Sequence, residues 1–544
     1  MPDHNVDWET CADDGCIGVR LPTSTKCWAH AVDTELELAF KRLGEHGLLD
    51  ARGVLITQEL LRRLLAAAPQ DDQGHAILTD ARFDEATFQD AARFDRTTFR
   101  RGAWFGGATF QDAARFDMTT FQHGAWFDRA TFKGDAGFYG ATFQGGAGFR
   151  GAIIHGDVRF GGATFQRARQ LGPMLVRKSL RLDQAVFHER AQVEVAAAAV
   201  CCQRTRFLAG VQLRVRWAQV VLDDADLAAP SILTGVPRFP DLNEGRWEQA
   251  MERLLPRRRG RRGRWRWQPR LLSLRRADVA GLTVGLVDMR ACQFADAHNL
   301  DKLRLETLGA FGDTPSGWRW TARQALAEEH RWRHLRAASR HGPERASGAA
   351  AGSQPDGRHH HTWFPAACQP PSWVDARPLA PVQIAALYRA LRKGREDNRD
   401  EPGAADFYYG EMEMRRFAKR EDAVAARRRR RYGPWAAAST ERAVLWLYWL
   451  TSGYGLRAWR ALATLAIVVL LAGGVFALWG FDPLGGLDEL PDAIRFSAQA
   501  ATALLRGPDR PLTPLGEWLH LGVRLVGPVL LGLTVLSVRG RVKR

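Results

Sequence analysis

The feature that most restricts this chain is a run of aromatic residues whose spacing never slips. From Phe83 to Phe165 they stand at 83, 88, 94, 99, 105, 110, 116, 121, 127, 132, 138, 143, 149, 160 and 165, with Ile154 in the one remaining slot. The steps alternate five and six, so the unit is eleven residues. An eleven-residue period also suits a right-handed coiled coil, but that needs apolar seams about three and four residues apart. Steps of five and six, at about 100° per residue, send successive rings to two helix faces about 140° apart and leave no single seam.

The position two before each of these residues points to extended chain instead. It is Ala in 13 of 16 slots, the exceptions being Thr97, Thr119 and Val158. Two apolar residues separated by one other share a side only in a strand. The Thr just before the ring, at 87, 98, 109, 120, 131, 142 and 164, then faces outward, where β-branching is favourable. Pairs such as Gly106-Gly107 and Gly134-Asp135 supply corners. No single unit can bury its own ring, so the expected fold is a solenoid of stacked coils. The stretch from Thr57 through Leu60, Leu61, Leu64 and Leu65 reads as an amphipathic helix placed to cap the first coil.

Units such as Ala81-Arg-Phe83-Asp-Glu and Ala86-Thr-Phe88-Gln-Asp resemble the pentapeptide-repeat family. The resemblance implies a mainly β fold, a right-handed quadrilateral β-helix, with 22 residues per coil and about four coils over this stretch. Family members step strictly by five and are often centred on Leu, whereas this chain alternates. Repeat character weakens after Phe165 but continues through Phe187, Phe207, Leu222, Leu227 and Ile232. It returns as a five-step series at Leu274, Val279, Val284, Met289 and Phe294.

The other strong signals lie at the C-terminal end. Ala461 to Trp479 is 19 residues without a charge, enough as helix to cross a hydrocarbon core of about 30 Å. A second candidate span runs from Leu515 to Val538. Residues 415–442 carry ten basic groups against three acids, and the tail Arg539, Arg541, Lys543 and Arg544 has no acid, while the intervening loop 481–514 has five acids and three bases. That asymmetry predicts a cell-membrane protein with two spans and both termini cytoplasmic. The consecutive Arg427, Arg428, Arg429, Arg430 and Arg431 are expected to lie against anionic membrane lipid. Ala443 to Leu450 is too short to cross and is read as an interfacial helix.

Glu517, His520 and Arg524 are spaced to share one face of the second span, a polar stripe that marks a functional candidate in an oligomer. Span, short helix at 491–505, and span together weakly resemble the pore unit of two-span cation channels. The filter position instead reads Arg506-Gly-Pro-Asp-Arg-Pro, and Ser452-Gly-Tyr-Gly455 precedes the first span.

Cys11, Cys16, Cys27 and His30 form Cys-x4-Cys-x10-Cys-x2-His, a donor set sufficient for a closed tetrahedral structural zinc site in a segment too short to fold without a staple. The domain expectation is a zinc knuckle over 1–34, a helical cap over 35–79, the β-helix over 80–235 and a basic insertion over 236–270. A second repeat patch over 271–306 and a linker over 307–380 follow. A helical hairpin over 381–432, an interfacial helix over 441–456 and a two-span hairpin over 457–544 complete the chain.

Lys and Arg exceed Asp and Glu by 77 to 60, a net charge of +17 that calls for an anionic partner. Arg257 to Trp267 interleaves arginine with Trp, and a membrane anchor in the same chain favours lipid, or no partner, over nucleic acid for this run. No catalytic triad order, phosphate-binding glycine loop or His-Glu-x-x-His motif occurs, so catalysis is not expected. The reading is a membrane-anchored scaffold that binds an as yet unknown protein partner. The competing reading is a subunit of a channel-like or transport complex, with the solenoid as its cytoplasmic module.

Overall fold

The computed structural model describes residues 6–240, 242, 245, 268–306, 310–314, 323–338, 378–482, 486–502 and 510–542. They divide into two compact units, residues 1–379 with 393–398, and residues 380–392 with 399–544.

The first unit is a parallel β-solenoid of about nine turns. Its strands are mostly two residues long, and through the Phe run each lies directly above its counterpart 22 residues earlier. β4 (Thr87–Phe88), β7 (Thr109–Phe110) and β11 (Thr131–Phe132) pair with Thr on Thr and Phe on Phe. Four ladders of rings therefore fill the bore. Phe83, Phe105, Phe127 and Phe149 stack at 4.8–5.0 Å between centroids. The ladder through Phe99, Phe121, Phe143, Phe165, Phe187 and Phe207 stacks at 4.4–5.1 Å. Adjacent ladders meet edge to face, as Phe94 does with Phe83 and Phe105, both at 5.5 Å. Offset-stacked and edge-to-face pairs are the arrangements that the ring quadrupole favours, so one residue type satisfies both directions of packing.

The alternation of five and six has a structural cause. Each five-residue step is a tight turn. Ala86 N donates to Phe83 O at 3.1 Å, and Glu85 takes φ +56°. Left-handed residues recur every eleven positions, at Arg96, Gly107, Met118, Arg129 and Gly140. For the residues other than glycine this costs about 1–2 kcal/mol each. Their amides offset the cost by bonding to the neighbouring coil: Glu85 N to Gly106 O at 2.8 Å, Arg96 N to Asp117 O at 2.8 Å, Met118 N to Tyr139 O at 2.7 Å. The six-residue steps turn without a left-handed residue, for instance between Phe88 and Phe94. Tight and wide corners thus alternate around each coil.

The solenoid runs past the four coils that the Phe stretch alone accounts for. From Phe187 the coil shortens to 20 residues, with Phe187 over Phe207 and Leu213 over Leu233. The two repeat patches are contiguous, because Ser231 pairs with Leu282 and Val221 with Ser273. Residues 236–269 are therefore an excursion between adjacent rungs. Part of it returns to the solenoid wall, where Val236, Phe239 and Leu242 cover Leu175, Ala196 and Trp217. In the strands beneath, β18 (Gln170–Arg181) and β20 (Ala191–Cys201), the outward positions under this cover are the apolar Leu175 and Ala196.

Both ends are closed. At the start, α1 (Asp33–His46) and α2 (Gln58–Ala67) accompany β1 (Leu48–Asp50) and β2 (Leu55–Ile56). Thr57 caps α2 by accepting from Leu60 N at 3.2 Å, and Gln58 N donates to Asp90 at 3.1 Å. At the far end, α3 (Ala327–Ala338) places Glu328 over the last coil, where its carboxylate accepts from Phe294 N. Burial pushes the Glu328 carboxyl up to about 7, although the amides of Phe294 and Ala295 and the charge of Arg275 oppose the shift. A carboxyl with a raised folded-state pKa gives stability that is fully present below its unfolded pKa of 4.5 and lost as pH rises toward about 7. Thermal unfolding followed by far-UV circular dichroism should therefore show a decline between pH 4.5 and 7 worth roughly 3 kcal/mol that Glu328→Gln removes. A variant profile that overlays the wild type would refute the assignment.

The second unit is helical. α4 (Pro381–Asp397) and α5 (Glu401–Arg428) form a hairpin in which the Tyr388 ring lies 5.7 Å from Phe407, and Gly410 leaves room for it. α6 (Tyr432–Ser452) packs along α5, with Trp449 Nε1 donating to Tyr409 Oη at 2.8 Å and Arg416 lying 4.8 Å over the Trp449 ring. α7 (Ala458–Val475) continues as a wider π-helical turn to Gly480, and α8 (Leu490–Thr502) and α9 (Pro514–Val542) follow. The Arg257–Trp267 run, the linker around His359–His361, residues 506–509, Lys543, Arg544 and the side chains of Arg539 and Arg541 lie outside the described residues.

Candidate functional site

The four donors that the sequence spaces over twenty residues converge. Cys11 Sγ, Cys16 Sγ, Cys27 Sγ and one ring nitrogen of His30 all lie within 4.8 Å of one another. His30 Nδ1 is 3.5 Å from Cys11 Sγ and 3.6 Å from Cys27 Sγ, and Cys16 Sγ is 3.8 Å from Cys27 Sγ. A tetrahedral ion with metal–sulfur bonds of about 2.3 Å and metal–nitrogen bonds of about 2.0–2.1 Å separates its ligands by about 3.8 Å (S to S) and about 3.6 Å (S to N). The three separations above match those values and all four donors lie within 4.8 Å of one another, so the cluster can hold a metal ion.

The backbone around the cluster is arranged for thiolates. Cys27 N points at Cys11 Sγ at 3.3 Å and Gly18 N at Cys16 Sγ at 3.4 Å. A Cβ on Gly18 would approach both Cys27 and Cys16 sulfurs to within 3.1–3.3 Å, so glycine keeps the pocket open there. Burial pushes the Cys27 thiol up to about 12, with the nearby Cys16 and Cys11 adding to the shift. A cation is what allows three sulfurs this close to be thiolates. Asp13 lies beside the cluster, 3.1 Å from His30 Nδ1 and 3.1 Å from Lys26 Nζ. Two residues that the Cys/His pattern does not reveal anchor the knuckle: Trp28 Nε1 donates to Asp50 O at 2.8 Å, and Trp8 Nε1 to Ile17 O at 2.9 Å. Two indoles within thirty residues are the only sequence signal for them.

In the second unit Arg427 and Arg428 end α5 and Arg429, Arg430 and Arg431 form the turn to α6, and all five are exposed. Arg430 takes φ +54° to make the turn. The adjacent α6 carries exposed Trp435, Val444, Trp446, Leu447 and Leu450. The Gly453-Tyr-Gly455 segment is a left-handed turn joining α6 to α7, with φ of +56°, +61° and +75°. Tyr454 is fully buried against Tyr409 and Tyr448, at 5.1 and 5.7 Å, which offsets its backbone strain. This motif is a structural corner.

Two helical stretches, Trp459–Gly480 and Pro514–Val535, are long and apolar enough to cross a membrane. Only 28% of each window is buried, so most of their apolar surface faces outward, unlike a core helix. Phe476, Phe481, Phe496, Ala501 and Val523 form the contact between these stretches and α8. Gly527 permits it, because a Cβ there would lie 2.1 Å from Ala501 O. The stripe Glu517, His520 and Arg524 is split by its surroundings. Glu517 is exposed, Arg524 is half-buried, and His520 is buried with its ring 5.5 Å from Phe496.

Residues 74–120 and 116–164 match the family of pentapeptide repeats in nine copies. No curated protein and no solved structure matches the chain. The matched segment, residues 74–164, is the stretch in which the rings stack in four ladders along parallel two-residue strands, so this segment of the chain is a pentapeptide-repeat solenoid.

Proposed function

We propose that this protein is a scaffold held at the cell membrane by two spans, with the solenoid on the cytoplasmic side as a protein-binding surface and no catalytic role. The observation that carries the reading is the pair of outward-facing apolar helices in the same chain as a rigid repeat array. A solenoid presents a long regular wall whose contacts are local, and such walls serve recognition. The exposed arginine turn 427–431 and the apolar side of α6 are then suited to anionic lipid headgroups and the interface below them. The basic flanks at 415–442 and from 539 onward, against the more acidic loop 481–514, support a topology with both termini cytoplasmic. The full chain is expected in a carbonate-resistant membrane fraction, and deletion of residues 457–544 is expected to release it. Release of the full chain by carbonate would overturn the anchor.

Zinc is the ion that the donor set suits, since three thiolates and one imidazole form a closed tetrahedral site. Elemental analysis of the purified full chain should find one zinc per chain, and Cys27→Ser should abolish it. Less than half an equivalent in the wild type would count against the site.

A further inference from the structure

On one outer wall of the Phe-filled coils the repeat places two tryptophans where the neighbouring rungs carry Arg82 and Gly148. Arg82, Trp104, Trp126 and Gly148 stand in register on four successive rungs. Both indoles lie down on the wall, and glycines make that possible. A Cβ on Gly102 would come within 2.3 Å of Trp104 Nε1. Under Trp126, a Cβ on Gly124 would lie 2.6 Å from Nε1, one on Gly146 3.4 Å from Cη2, and one on Gly148 2.6 Å from Cε3. Three ring atoms that share no line therefore rest on the wall, so the Trp126 ring is parallel to it and spans two rungs. The Trp104 ring is within 25° of the same plane, with its centroid 5.9 Å away. Together they tile the wall with an aromatic surface whose outer face meets solvent. Trp104 stays 38% exposed with its other face covered, and Trp126 is half-buried.

We propose that the Trp104–Trp126 tile is a glycan-binding platform that takes an extended, uncharged β-linked glycan. The negative face of an aromatic ring attracts the weakly positive C–H groups on the flat face of a sugar ring. The 5.9 Å between the indoles is close to the repeat of successive sugar rings in an extended β-linked chain. The rim supplies what hydroxyls need. Beside Trp104 opens a depression of about 870 Å³ lined by four acids and four arginines, among them Asp84, Asp128, Arg82 and Arg150. Carboxylates only accept and guanidinium groups only donate, whereas a hydroxyl does both, so a sugar can use each kind. The balance of charge draws neither a polyanion nor a cation, and the acids repel a phosphate backbone. Proline-rich peptides dock in grooves between aromatic rings, and a flat tile offers no groove. Such binding stands beside the protein-binding role above and does not rest on it.

The test is isothermal titration calorimetry of the full chain in micelles of a sugar-free detergent, with cellohexaose, chitohexaose, the coiled α-linked maltohexaose and decaproline as probes. At least one of the two β-linked hexamers should bind saturably, about tenfold or more tighter than maltohexaose. Trp104→Ala and Trp126→Ala should each weaken it about tenfold, the loss expected for removing one stacked ring. Trp104→Tyr, which keeps a flat ring, should lose about threefold or less. Far-UV circular dichroism checks that each variant keeps its β signal. Absence of saturable binding by both β-linked hexamers overturns the proposal. Binding that both alanine variants leave unchanged places the site elsewhere and overturns it too. Decaproline bound more tightly than either hexamer would make the tile a peptide site and equally overturn it.

Discussion

Phe127→Ala is expected to cost the solenoid about 3–5 kcal/mol, the usual range for deleting a buried ring from a packed core. Phe127 is fully buried at the centre of its ladder. It stacks on Phe105 at 4.8 Å and Phe149 at 4.9 Å, and meets Phe116 and Phe138 edge to face at 5.2 and 5.4 Å. A methyl group in that place leaves a void bounded by rings on every side. Backbone pairing above and below prevents the coil from collapsing into the void, through Phe105 N to Trp126 O and Phe127 N to Gly148 O. Because each coil touches only its neighbours, the damage should be local. Native-state hydrogen exchange should quicken most at the amides of coils 105–149 and least near Phe294. Uniform loss across the solenoid, or a change below about 1 kcal/mol, would show that the ladder does not hold the rod coil by coil.

Glu329→Ala should release the far cap by a comparable amount, about 3–5 kcal/mol, because it strands a buried charge. The side chains of Glu329 and Arg323 are 0% and 1% exposed. Arg323 Nη2 donates to both carboxylate oxygens, at 2.7 and 2.9 Å, and Arg333 Nε reaches the same carboxylate at 2.7 Å. Removing the acid leaves the Arg323 guanidinium without its counter-charge in a site closed to water. Arg333 is a quarter exposed and can turn outward. Replacing Arg323 by Met and Glu329 by Leu together should recover most of the loss, since no charge is then left buried. Limited proteolysis after the residues of α3 reports the difference. Equal cleavage of the single and double variants would refute the account.

The period of the Phe run was legible as a β-solenoid because strand alternation is local. A ring and an alanine two residues apart can share a side only in extended chain, whatever lies elsewhere in the sequence. The same run did not reveal that five-residue steps are tight corners with left-handed Glu85, Arg96 or Met118, since nothing in those residue types favours that backbone. They adopt it because the next coil accepts their amides.

At the candidate metal centre, Cys11, Cys16, Cys27 and His30 were legible from residue type and spacing. Trp8, Trp28 and the Asp50–Gly53 corner were not, because the knuckle meets that corner across gaps of twenty residues or more.

By itself the sequence determined which residues face the bore, where the candidate spans lie and which four donors could meet. Tertiary structure alone decided that the repeats on either side of residues 236–269 form adjacent rungs of one stack. It also decided that Val236, Phe239 and Leu242 cover the outer wall and that Glu328 and Glu329 close the far end. The division follows from range. A repeat writes the same short-range rule at every coil, whereas an end, an excursion or a cover occurs once and is held by contacts between residues far apart in the chain, which no periodicity can encode.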